Sequence, residues 1–185
     1  MSVAGTYECV TKTPMGDHKS EVTINVDGDT FTVDITPATD GTVSIDIAPG
    51  VAQDGAGNPN SAATQITRTF DGTAPSTTLT TTSPSLTNAS PLSSFDVTFS
   101  EDVSGFGLSD IQVVNGTPTN FLSLSASQYT FDVTPTTDGI VTVTIPAAAA
   151  QDAAGNISSA LTHSFILDTQ APDISLSTLA DGNSL

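Results

Sequence analysis

Apolar residues recur at every second position in short runs along the chain. Phe95, Val97 and Phe99 form one such set, as do Tyr129, Phe131 and Val133. Val141, Val143 and Ile145 form another, and Leu161, His163, Phe165 and Leu167 a fourth. The intervening positions hold mostly Thr, Ser and Asp. A period of two with a polar opposite face is the pattern of a half-buried strand. Strands of that kind bury their apolar faces by packing as two sheets. The pattern predicts strands at 76–82, 93–100, 110–115, 120–125, 128–134, 139–145 and 161–168. Asp40-Gly41 and Asp138-Gly139 mark tight turns between strands. No amphipathic helix is predicted. The Ala-rich stretch 147–154 reads as a loop, because Pro146 precedes it and Gly155-Asn156 follows. The fold class is all-β.

The chain also repeats itself. FTVDITPATDGTVSIDIAPGVAQDGAGN (31–58) aligns with YTFDVTPTTDGIVTVTIPAAAAQDAAGN (129–156) at an offset of 98, with 15 of 28 positions identical. Asp71-Gly-Thr-Ala-Pro75 returns as Asp168-Thr-Gln-Ala-Pro172 at an offset of 97. That period is too long for a solenoid unit and suits a whole sandwich of ~100 residues. The expected organisation is tandem β-sandwich modules: an atypical or incomplete one at 1–73, a complete one at 74–170, and at 171–185 the first strand of a truncated third. On this reading the chain is a piece of a longer array. Residues 1–30 have no counterpart in the second repeat; two strands are predicted there, 6–13 and 20–27, around a Pro14-Met15-Gly16-Asp17 turn. Arg68 falls between Ile66 and Phe70, on a face the pattern otherwise marks as buried.

The segment FSEDVSGFGLSDIQVVNGTPTNF (99–121), with the TP-x-x-DG turn, the DAAGN loop and the D-x-x-AP linker in order, resembles the bacterial Ig-like repeats of large surface adhesins and biofilm-associated proteins. The resemblance covers about 31–185. It implies tandem sandwich modules on a secreted or cell-surface protein, a spacer or adhesive role commonly stiffened by calcium, and no catalysis.

Charge narrows the partners. Three Lys and Arg stand against 20 Asp and Glu, a formal net charge of −17. Nucleic acid requires clustered cations and is excluded; anionic membranes are disfavoured for the same reason. No apolar run reaches the ~18 residues of a membrane span, and no signal peptide is read in residues 1–20. One cysteine, Cys9, allows no internal disulfide.

Any site chemistry therefore rests on carboxylates. In an Ig sandwich the loops after the second and sixth strands share one pole, and the turn between the fifth and sixth lies at the other. End-to-end modules would gather Asp71, Asp40, Glu101, Asp102, Asp152 and Asn156 at the first junction, and Asp138, Asp168 and Asp173 at the second. Calcium takes six to eight oxygens at ~2.3–2.6 Å and fits such a set. Magnesium fits less well, and zinc lacks His or Cys there. The alternative reading of DAAGN is a structural Asx turn, and that of Glu101 and Asp102 a solvated, edge-protecting charge pair.

Three further readings stay open. The loop residues Val103, Phe106 and Leu108 either plug the core or present a binding surface for a carbohydrate or host protein. The first repeat, lacking two strands, would expose sheet edges to another chain. Asn88, Asn115 and Asn156 each begin a glycosylation sequon. His163 reads as a partly buried structural residue, and His18 as solvated. No P-loop, GxSxG, HExxH or paired-Cys motif occurs, and an enzyme is not expected.

Overall fold

The structure, a computed structural model, describes residues 11–13, 16–18, 21–27, 30–82, 86–88 and 93–176. Cys9 and residues 177–185 lie outside them. The chain divides into a unit ending at Thr73 and a unit starting at Ala74.

The second unit contains two four-stranded sheets. One runs in the order β11 (Gly116–Ser123), β12 (Gln128–Pro135), β9 (Ser93–Phe99), β7 (Thr77–Thr81). The other runs β10 (Gln112–Val114), β13 (Gly139–Ile145), β14 (Leu161–Leu167), β8 (Leu86–Thr87). All pairings are antiparallel except β14 with β8. The alternating apolar sets meet between the sheets. Phe95, Val97, Phe131, Val133, Val141, Val143 and Ile145 are essentially inaccessible. Phe95 stacks on Phe131 with ring centroids 5.3 Å apart, and the half-buried His163 meets its edge at 5.8 Å.

Three local features depart from the pattern. β8 was not predicted, because two residues carry no period. The third predicted strand shortens to Gln112–Val114, since Leu108–Asp110 close a 3-10 turn in which the Gly107 N–H donates to Asp110 Oδ2 at 2.9 Å. β11 begins at Gly116 rather than 120, just after Asn115 turns the chain with φ +60°. Its register against β12 shifts between Thr119 and Leu122, where Asn120 adopts φ +53°. The Ala-rich stretch is indeed loop.

The first unit carries β1 (Thr11–Thr13), β2 (Gly16–His18), β5 (Gly41–Ile45) and β6 (Ile66–Phe70) in one sheet, ordered β2-β1-β5-β6. β3 (Glu21–Asp27) and β4 (Thr30–Thr36) form a separate hairpin. Gly16 and Asp17, read as turn, belong to β2 and pair with Thr13 and Lys12. The repeat is visible in the registers. Val43 opposes Arg68 as Val141 opposes Phe165, and Gly41 opposes Phe70 as Gly139 opposes Leu167. The face of β6 expected to be buried is open: Ile66 is 52% and Phe70 37% exposed, and Arg68 is exposed with them. Residues 171–176 are exposed and belong to no strand. No helix among the described residues is long and apolar enough to cross a membrane.

Candidate functional site

At one pole of the second unit the loop after β9 meets the loop after β13. A two-way backbone exchange joins them: Ser104 N–H donates to the Gln151 carbonyl at 2.7 Å, and Gln151 N–H to the Ser104 carbonyl at 3.1 Å. Both loops are anchored from below. Val103 and Phe106 turn into the core, where Phe106 packs edge-on against Phe99 and Tyr129 at 5.2 and 5.0 Å. On the other loop, Ser158 is buried and its hydroxyl accepts the Ala150 N–H at 3.1 Å. The chain entering the unit is tied to the same place. Pro75 is buried, its carbonyl accepts the Ser159 N–H at 3.1 Å, and the Thr77 hydroxyl donates to the Ser159 carbonyl at 3.1 Å.

This scaffold brings Glu101 and Asp152 together, with one carboxylate oxygen of each within 4.8 Å of the other. Glu101 is half-buried and Asp152 buried. Asp102, its sequence neighbour, is exposed and belongs to no group of three potential metal ligands among the described residues. Asp152 organises its own loop. Its Oδ1 accepts the Asn156 N–H and its Oδ2 the Asn156 side-chain amide, both at 2.8 Å, while Gly155 closes the turn at φ +93°. Burial pushes the Asp152 pKa up, but the bonds from the Asn156 side chain and the loop backbone outweigh it and hold the carboxyl below its ordinary value. The first unit repeats the device: Asp54 accepts Asn58 N–H and Nδ2 at 2.9 and 2.8 Å, with Gly57 at φ +86°. The DAAGN loop is thus an Asx loop held by its own Asn156 and backbone, and in the second unit Glu101 stands beside it.

The other predicted ligands are engaged differently. Asp40 accepts the Gly72 N–H at 2.6 Å and a very short bond from the Thr73 hydroxyl. In the second unit Asp138 accepts the Thr169 hydroxyl at 2.8 Å and its N–H at 3.1 Å. Both carboxyls are held below their usual value, chiefly by those Thr hydroxyls. Asp71 and Asp168 each cap the backbone two residues on, at Thr73 and Gln170, both at 3.1 Å. The turn aspartates therefore clasp the segment that follows the last strand of each unit. Asp173 is exposed, and neither it nor Asp168 joins a group of three ligand residues among the described residues.

Sequence reasoning missed three positioning groups: Ser158, the Ser104–Gln151 bridge, and Asn115. The Asn115 amide donates to the Thr137 and Ile140 carbonyls at 2.8 and 3.3 Å, while its Oδ1 accepts the Thr137 N–H and hydroxyl. Its sequon nitrogen is thereby committed to a turn-to-turn latch. Only Asn115-Gly116, a turn-forming pair, hinted at this.

A family model described as a bacterial Ig-like domain matches residues 71–178. No curated protein matches the chain, and no solved structure does. The matched segment takes in both sheets of the second unit and the pole that carries Glu101 and Asp152, and on this match the chain belongs to the bacterial Ig-like domain family.

Proposed function

We propose that the chain is a non-catalytic structural spacer of a bacterial cell-surface or secreted adhesin, in which calcium stiffens the link between consecutive modules. The observation that carries this reading is the pairing of Glu101 with Asp152. Two oxygens that share one calcium stand at most about 4.6–5.2 Å apart, twice the calcium–oxygen distance, and this pair lies within 4.8 Å. Asp71 is the natural third ligand, since it stands three residues before Ala74, where the second unit starts. Asn156 and Asp40 complete the proposed ligand set, with Asp102 standing outside it; Asp168 and Asp173 would serve the next junction. With 20 acidic and three basic residues, the chain has little else to neutralise such a group. Pro75 limits backbone freedom at the link, and its burial against the Ser159 loop leaves the connection short. The partners are neighbouring modules of the same parent chain.

The test is calorimetric titration of the whole chain with calcium and, separately, magnesium. Calcium binds, magnesium binds more weakly, and calcium at one hundred times its dissociation constant adds about 2.7 kcal/mol to the stability of the module. Glu101→Gln weakens binding. Absence of heat and an unchanged melting temperature overturn the reading.

The competing proposal, ligand recognition through the loops, rests on Val103, Phe106 and Leu108. The first two are buried and Leu108 alone is 41% exposed. Val103 and Phe106 plug the core end, which leaves Leu108 as the exposed member of the three and favours the spacer reading.

A further inference from the structure

Asn115 and Gly116, at the corner where β10 passes into β11, form the single Asn-Gly pair of the chain. The fold asks for both residues. Asn115 sits at φ +60°, a left-handed backbone that asparagine adopts more readily than most side chains. At Gly116 a Cβ would meet the Thr134 carbonyl oxygen and Val113 Cγ1 at 3.1 Å and Val133 Cγ1 at 3.2 Å, so the approach to β12 leaves room for hydrogen only. The same pair is chemically labile. A side-chain amide followed by glycine lets the next backbone nitrogen reach the amide carbon with the least hindrance, because glycine has no Cβ.

In the folded unit both polar atoms of the Asn115 amide are held. Nδ2 donates to the Thr137 and Ile140 carbonyls at 2.8 and 3.3 Å. Oδ1 accepts the Thr137 N–H at 3.1 Å and the Thr137 hydroxyl at 2.8 Å. The Asn115 carbonyl accepts the Thr136 N–H at 3.2 Å, which fixes the backbone of the corner as well. Swinging the amide carbon onto the Gly116 nitrogen breaks all four side-chain bonds. Gly116 is further restrained by its place opposite Pro135 in the β11–β12 ladder. An unfolded chain has none of these restraints.

We propose that Asn115 is a deamidation site gated by the fold, closed while the second unit is folded and open whenever it unfolds. The Gly116 nitrogen bonds to Asn115 Cγ and gives up its proton, the Cγ–Nδ2 bond breaks, and Nδ2 leaves as ammonia. Water then opens the five-membered imide at either carbonyl, giving aspartate or isoaspartate; nothing is oxidised or reduced. Neither product rebuilds the latch. Aspartate puts an oxygen where Nδ2 stood, facing the Thr137 and Ile140 carbonyl oxygens. Isoaspartate adds a methylene to the backbone of a corner that is already tightly set. Each also adds a negative charge to a chain of net charge −17. The reaction therefore records that the unit has opened and weakens it afterwards, whatever the pole at Glu101 binds.

The whole chain is incubated in EDTA at mildly alkaline pH, without urea and in enough urea to unfold it, with circular dichroism to verify each state. Peptide mass spectrometry follows conversion of the amide to the acid at Asn115. Conversion is at least about tenfold faster in urea, because attack in the folded chain waits on local opening. Thr137→Val removes the hydroxyl donor; it speeds conversion of the folded chain and leaves the rate in urea unchanged. Asn115→Asp lowers the melting temperature of the second unit, and wild-type chain that has reacted in urea refolds to a form that melts lower than unreacted chain. Equal rates with and without urea overturn the gate, and so does a chain that fails to convert in urea. Reacted chain that refolds with an unchanged melting temperature overturns the consequence.

Discussion

Phe131 and Val33 occupy equivalent positions of the repeat, and replacing each by Ala separates a filled sandwich from an open one. Phe131 is 1% exposed and stacks on Phe95 with planes 15° apart. Truncating a buried Phe to Ala leaves a cavity and costs about 3–5 kcal/mol, a large part of the ~5–15 kcal/mol that holds a domain together. Val33 is 38% exposed and lines an open apolar cleft of the first unit. Its truncation removes two methyl groups worth about 0.8 kcal/mol each when fully buried, so at this exposure the loss is about 1 kcal/mol or less. Urea unfolding followed by far-ultraviolet circular dichroism, with calorimetry to resolve the transitions of the two units, measures both. Phe131→Ala shifts the second unit's midpoint strongly at constant denaturant slope, whereas Val33→Ala barely moves the first. Comparable losses at the two positions would refute the contrast between a packed and an unpacked interior.

Ser158→Ala removes the acceptor of the buried Ala150 N–H and is expected to destabilise the second unit by about 1–3 kcal/mol in the same assay; Ser158→Thr, which keeps the hydroxyl, recovers part of it. Acid titration gives another check. Asp40, Asp54, Asp138 and Asp152 are all held below the ordinary 3.8 in the folded chain, by bonds from Thr73, Asn58, Thr169 and Asn156, which at Asp152 overcome burial. The folded state thus binds fewer protons than the unfolded chain around that pH. The stability these groups contribute is complete above 3.8 and is lost as the pH falls through their depressed folded values. A melting temperature that stays flat or rises as the pH drops from 5 to about 2 would contradict this.

Much of the second unit was legible from local chemistry. Phe95-x-Val97-x-Phe99 and Val141-x-Val143-x-Ile145 alternate strictly, and a one-residue slip would expose every core side chain, so pattern alone determined strand, face and register parity. Asp138-Gly139 and Asp152…Gly155-Asn156 announced their turns, because an Asx side chain bonding to backbone and a glycine at positive φ are short-range requirements. What no local signal carried was pairing between distant loops. That Glu101 meets Asp152, and Asp102 does not join them, depends on the Ser104–Gln151 bridge and on Phe106 turning inward, both consequences of two sheets closing over a shared core. Arg68 shows the same division. Its place on a face with Ile66 and Phe70 was set by the period of two, but whether that face is buried depends on an opposing strand. Burial is a property of what lies across the sheet, and only the tertiary structure decides it.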